Sequence, residues 1–367
     1  MSSVPQIGRA RVMAYRTVTN DLHERRAGGP EVLGVLDLGV PNVPAGTARQ
    51  ALATRCTEPL AGDLVLAWTT RGAPHLHRPA DLPALAGALW PLADADAASR
   101  FATGQLPPAA FELGVEAFRV TAQALRDVVR RPSAKGDVSR AVSERVPPEL
   151  TYDCKPCGAR HISGGLLQQA GLGGGVRLDE DAAKTVLAPI EPRPPLPAKA
   201  AGTTEFVRAY LRILGPATAG DVAKYLGTTV AALRPIWPAD LAEVSVDGHR
   251  TWLPAECLDV LLAAPDVRGV RLLPPSDPFL QARDRTVLVP GKDRAKEVWR
   301  VLGNPGVLLV DGEIAGTWRA KAVRKRLELT VEPWVPLSAA TRTAAGAEAD
   351  TVAAVRGLAE ADVKGLG

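Results

Sequence analysis

Pro132-Ser-Ala-Lys-Gly-Asp-Val138 recurs 84 positions later as Pro216-Ala-Thr-Ala-Gly-Asp-Val222, with a basic residue two places on, Arg140 or Lys224. Each copy follows an apolar-periodic segment that carries arginine, 118–129 in the first and 206–214 in the second. The pattern is a helix, a proline-containing break and a second helix opened by Ser133 or Thr218. The acid that follows suits the free N–H groups and positive dipole end of a first helical turn. After the second copy, Gly227-Thr228 breaks the chain and 229–236 has the composition of a third helix. Glu243-Val-Ser-Val246 and Arg250-Thr-Trp-Leu253 then read as two strands joined through Asp247-Gly248, a strong hairpin signal. Three helices and a hairpin describe a winged helix, whose helix pair is the helix-turn-helix that enters a DNA groove. Such a unit also serves as a scaffold or a protein-binding surface.

The rest of the chain divides around this repeat. Residues 1–106 read as an N-terminal winged-helix-like domain, with helices over 13–24, 46–56 and 81–88. Its strands are Leu64-Val-Leu-Ala-Trp68 and Pro74-His-Leu-His77, placed around Thr70-Arg-Gly72. Residues 107–188 form the second such domain, and 203–264 the third. Between them 189–202 is a Pro-rich linker, with five prolines in 189–197. From 265 to 336 the texture is β-rich: Val270-Arg-Leu-Leu273, Thr286-Val-Leu-Val289, 306–310 and 327–331 are strand-like. Asp311-Gly312 is a hairpin turn before Ile314-Ala-Gly-Thr-Trp318. Residues 337–367 read as a closing Ala-rich helix and tail. The fold class is therefore α+β, tandem winged helices followed by a small mostly-β domain and a C-terminal helix.

Composition bounds the partners. Apolar residues make up 46% and charged residues 23% of the 367, ordinary for a globular protein with a substantial core. With 44 basic and 40 acidic residues the net charge is only +4, so any DNA surface depends on local clusters. Two clusters stand out, one at Arg126, Arg130, Arg131 and Lys135, the other at Arg319, Lys321, Arg324, Lys325 and Arg326. Each also fits a solvated face. No secretory pattern opens the chain and no apolar run approaches membrane-spanning length, so the expectation is a cytoplasmic protein with no membrane partner; a tandem array of domains is compatible with a monomer.

Several stretches together resemble one family. They are Ala67-Trp-Thr-Thr-Arg-Gly-Ala-Pro-His75, the repeat, Leu272-Leu-Pro-Pro-Ser-Asp-Pro-Phe279 and Val310-Asp-Gly-Glu-Ile-Ala-Gly-Thr-Trp-Arg319. Over roughly residues 9–336 the chain resembles the winged-helix DNA-binding proteins of the AlkZ/YcaQ-like DNA glycosylase family, which are bacterial. The resemblance implies DNA repair by hydrolysis of the N-glycosidic bond of alkylated or crosslinked bases in double-stranded DNA. Family members carry Gln-x-Gln or Gln-x-Asp before a Val-Pro-like step near the N-terminus. Here the stretch is Leu36-Asp37-Leu38-Gly39-Val40-Pro41, with Asp37 at the first glutamine position and Gly39 at the second.

The candidate residues follow. A carboxylate at Asp37 can stabilise a cationic sugar and position or deprotonate water; an isolated Asp before Leu-Gly is more often a helix-end or turn residue. In the family the 64–77 hairpin lies beside the DNA cleft. That implies phosphate contact for Arg71 and approach of His75 or His77 to the lesion, against a turn at Arg71-Gly72 and locally bonded histidines. Arg130, Arg131 and Lys135 are the other DNA-binding candidates. Cys154-Lys-Pro-Cys157-Gly-Ala-Arg-His161 places two thiolates and an imidazole at spacing that can wrap a structural zinc, the fourth ligand coming from elsewhere. Reduced thiols shaping a loop are the alternative. No nucleotide-binding glycine motif occurs and no cofactor is required. Three functions stay open: a glycosylase, a non-catalytic or regulatory DNA-binding protein, and a zinc-stabilised interaction protein.

Overall fold

Alternating apolar positions in the last third of the chain become a five-stranded sheet. In the computed structural model, which describes residues 4–58, 60, 63–101, 106–155 and 158–366, its strands are Val270–Leu273, Gly306–Val310, Glu313–Val323, Arg326–Pro333 and Glu360–Lys364, adjacent in that order. The first four pair antiparallel and the last joins in parallel. Asp311 and Gly312 turn the second strand into the third, both at positive φ, 50° and 80°. Asp-Gly turns suit the twist of the flanking strands in this way. Leu272, Leu308, Leu327 and Leu329 are buried against Ala345, Ala349 and Val352 of the helix Ala339–Val355. Trp318 closes this core, its indole N–H donating to the Leu273 carbonyl at 2.9 Å.

Two expectations for this region give way. Thr286-Val-Leu-Val289 is strand-like by composition, yet Arg285–Leu288 is a helical turn. Here the Arg285 guanidinium lies 4.7 Å from the Trp299 ring centroid and Leu288 is fully buried, so tertiary packing overrides β-propensity. The tail beyond the closing helix also holds a strand, Glu360–Lys364, whose alternating charges mask it.

The chain forms two compact units. The first comprises 1–62, 208–221 and 239–367, the second 63–207 and 222–238. The consecutive blocks read from the sequence are stretches of chain, whereas these units are sets of segments that pack together. Besides the five-stranded sheet, the first unit holds the hairpin Leu241–Val246 and His249–Pro254, to which Gln6–Ile7 adds in parallel. Its core gathers Ile7, Val12, Tyr15, Val244, Leu253 and Leu261. In the second unit the strands run in the order Pro74–His77, Val65–Trp68, Val176–Leu178, Val186–Pro189 and Ser133–Ala134. The helix Val115–Val128 packs its apolar stripe there, with Phe118 against Trp90 edge to face at 6.1 Å and beside Phe101.

The repeated stretch behaves alike in both copies. Ser133–Ala134 pairs with Val186 and Leu187, and the helix Lys135–Ser143 follows. Ala217 bridges to Trp252, and the helix Ala219–Leu226 follows. In each, the break after the first helix pairs with the second strand of a later antiparallel pair: Val176–Leu178 with Val186–Pro189 in the first copy, beyond an intervening hairpin, and Leu241–Val246 with His249–Pro254 in the second. Residues 190–202 carry no regular structure, but the Arg193 guanidinium donates to the Arg126 and Val129 carbonyls and Arg126 donates to Pro194. The fold is α+β. Among the described residues no helix is long and apolar enough to cross a membrane.

Candidate active site

Asp37 ends a short 3-10 turn, Gly34–Asp37, in which Val35 and Leu36 are fully buried. Leu38 and Val40 are buried too. Apolar anchors on both sides therefore fix the backbone while the Asp37 side chain stays 35% exposed. Gly39, at φ 79°, reverses the chain into the strand Val40–Pro41. That left-handed conformation favours glycine, so the second position of the resembled motif carries a turn in place of a functional side chain.

The Asp37 carboxylate accepts from Arg212 at 2.5 Å. Arg212 sits in the last turn of the helix Thr203–Leu214, whose terminal carbonyls lack intrahelical donors. Side chains from the helix Arg9–Thr19 and the residue after it supply them. Tyr15 donates to the Arg212 carbonyl at 2.7 Å, and Thr19 and Asn20 donate to Ile213 at 3.1 and 2.9 Å. The fully buried Arg16 donates to Gly215 and Pro216 while pairing with Asp284 at 2.6 Å. Burial pushes the Tyr15 hydroxyl up, so it remains a neutral donor. A side-chain cap thus holds the Arg212 backbone, and Arg212 meets Asp37 across 175 residues of sequence. The arginine-bearing segment is visible in the sequence; its partnership with Asp37 carries no signal there.

The hairpin Val65–Trp68 and Pro74–His77 places its three candidates differently. Arg71 is exposed at the tip, in the left-handed region with φ 56° and ψ 26°. Gly72 beside it packs on the helix Gly164–Gln169, where an added Cβ would lie 2.9 Å from Gln168 Cβ. His75 and His77 share a face, ring centroids 6.1 Å apart, but are 4% and 0% exposed. His75 Nδ1 lies 2.9 Å from the Ala73 carbonyl and His77 Nε2 lies 3.0 Å from Thr69 Oγ1. Burial lowers His75 to about 4 and His77 to about 3, so both are neutral near pH 7. Both imidazoles are turned inward in this arrangement, bonded locally.

Arg130 and Arg131 are exposed and line a cleft of about 870 Å³ together with Arg177, which sequence reasoning overlooked. Leu82, Ile190 and several prolines supply its apolar wall, and Glu191 its one carboxylate among the described residues. Lys135 is half-buried, its ammonium 5.7 Å from the Trp68 ring centroid. Cys154 and His161 lie on the two strands of the hairpin Thr151–Cys154 and Ala159–Ile162, opposite Ala159 and Tyr152. That register puts both on one face. Cys157 lies outside the described residues, and among those described no three His, Cys, Asp or Glu side chains converge to hold a metal.

Residues 45–355 match the DNA glycosylase AlkZ-like family. An interstrand DNA cross-link repair glycosylase from Streptomyces sahachiroi is 31% identical over 182 residues, a stretch that spans 46% of each chain. The solved structure of the S. sahachiroi DNA glycosylase AlkZ superposes with a TM-score of 0.73 at 19% identity, covering 98% of this chain and 99% of that one. At that identity the likeness concerns the fold. The family match begins after Asp37.

Proposed function

Because this chain belongs to the AlkZ-like DNA glycosylase family, we propose that it hydrolyses the N-glycosidic bond of alkylated or crosslinked bases in double-stranded DNA, with Asp37 as the acting carboxylate. The observation that carries the reading is a carboxylate held by buried neighbours yet open to solvent, beside a cation it can exchange. The name of the cross-link repair relative supports the substrate class.

In the proposed step the C1′–N bond breaks and its electron pair leaves with the base, discharging a cationic alkylated base to a neutral one. The Asp37 carboxylate stabilises the positive charge left on the sugar. Water then adds at C1′, its proton passing to Asp37 or to solvent. Arg212 holds Asp37 in place before DNA arrives. Both side chains are more than a third exposed, so the pair is worth only about 0–1 kcal/mol. A DNA phosphate can therefore draw the guanidinium away at little cost.

The winged-helix reading belongs here as well. It is supported by the helix, break and helix of each repeat copy, and by pairing of each break with the second strand of a later antiparallel pair. The exposed Arg71, Arg130 and Arg131 support phosphate contact. A second reading, DNA binding without catalysis, is favoured by one observation: Gly39 replaces a glutamine at a backbone position that suits glycine.

The test is release of free base from an N7-alkylguanine duplex by the wild type and by Asp37→Asn. Release by the wild type, slowed about 10²-fold or more in the variant with duplex binding retained, is the expected result. Equal rates would remove Asp37 from the chemistry. Binding without release by the wild type would leave the non-catalytic reading.

A further inference from the structure

In the first unit a cleft of about 570 Å³ lies between the segment 44–49, the strand edge around Trp318 and the end of the closing helix. Arg49, Arg319 and Arg356 line it with Thr47 and Asn304, and no Asp or Glu does among the described residues. Arg319 donates to the Gly303 carbonyl at 2.7 Å and Arg356 to the Gln50 side-chain oxygen at 3.3 Å. Both partners are uncharged. These bonds orient the guanidinium groups without neutralising them, an arrangement suited to an anion.

At the rim of this cleft the chain makes a tight turn, and its tip is apolar. Val301 is 100% and Leu302 86% exposed, the most exposed large apolar side chains described. The turn is braced at its base. Asn304 Oδ1 accepts from the Arg300 amide at 2.9 Å, and the Arg319 bond to Gly303 ties its far side to the sheet. The preceding helix Lys292–Val298 is held in turn, with Arg294 over the Trp334 ring at 5.1 Å and the Trp334 indole donating to Glu297 at 2.7 Å. Two apolar side chains are thus presented to water on a stiff support beside a cationic cleft.

We propose that this cleft takes the sugar-phosphate backbone of one strand of a DNA duplex and that Val301 and Leu302 form a wedge entering the adjacent base step. The inference rests on the DNA reading given above. Apolar wedges beside basic side chains are a general means of unstacking a base step, and a step weakened by a damaged base opens at least cost. The charge argues for this occupant: Arg319 and Arg356, bonded to neutral oxygens, complement phosphate. Two residues are too small an apolar area for a stable protein interface or for anchoring to a lipid surface.

The experiment uses the full chain and a duplex carrying one N7-methylguanine with 2-aminopurine as its neighbour. Binding by the wild type is expected to raise the 2-aminopurine fluorescence. Val301→Ser with Leu302→Ser is expected to lose most of that rise, with melting temperature unchanged because both sites are exposed. The single change Leu302→Ala serves if the double variant is poorly folded. Arg356→Gln is expected to lower the slope of log affinity against log salt by about one. Variants that match the wild type in fluorescence and slope, in a protein that still releases base, would overturn the wedge and spare the glycosylase reading. A wild type that binds no duplex would overturn both. Retained unstacking in Asp37→Asn, with loss in the tip variant, would place the wedge upstream of the chemistry and support it.

Discussion

Asp277 never meets solvent, although it belongs to one of the stretches that carry the family resemblance. Its carboxylate accepts two bonds from Arg55, at 2.8 and 2.6 Å, and a third from the Phe279 amide at 2.9 Å, with both charged side chains 0% exposed. His75 and Trp318, from two further stretches, are buried as well. These three of the residues that make the family recognisable therefore sit inside the fold, whereas Arg71 of the same stretches is exposed. Breaking a buried pair leaves an uncompensated charge, so Arg55→Ala is expected to cost about 3–5 kcal/mol, read by urea denaturation. A loss under about 1 kcal/mol would mean that water reaches Asp277 in the folded state. Asp37 was legible through the resemblance, which sets it at the first glutamine position before Val40-Pro41. Its partner Arg212 was not, because nothing local links residues so far apart.

Helices were the most legible elements, because an apolar stripe at helical spacing survives changes in packing. The repeat shows how much the same residues can differ in use. In the second copy Thr218 and Asp221 cap each other: the Thr218 hydroxyl accepts from the Asp221 amide, and the Asp221 carboxylate from the Thr218 amide, both at 3.1 Å. In the first copy Asp137 is 70% exposed and pairs only loosely with Arg140 at 3.5 Å. Asp221→Ala is expected to cost about 1–2 kcal/mol and Asp137→Ala much less, compared by thermal melts of the two variants. Equal losses would refute the distinction. Strands were less legible. Thr286 to Val289 has β-branched composition, but burial of Leu288 and the ring beneath Arg285 decide its shape. Glu360–Lys364 has the opposite difficulty, a charged edge strand recognisable only once Arg326 is there to pair with Glu360.

At the scale of the whole molecule, a net charge of +4 gives no general attraction for DNA, so affinity has to come from grouped arginines. Duplex binding is expected to weaken steeply with salt, with a slope of about −0.9 for each phosphate neutralised. A salt-independent interaction would favour a protein partner instead. The α+β class was legible because the chain changes texture near residue 265. The two units were not, since segments distant in sequence contribute to each. The side-chain cap on the helix Thr203–Leu214 has a practical side. A fragment cut to the family match at residue 45 would discard Tyr15, Arg16, Thr19 and Asn20, and with them the donors for four carbonyls. Similarity marks where relatives can be aligned; the cap marks the shortest piece of this chain worth expressing.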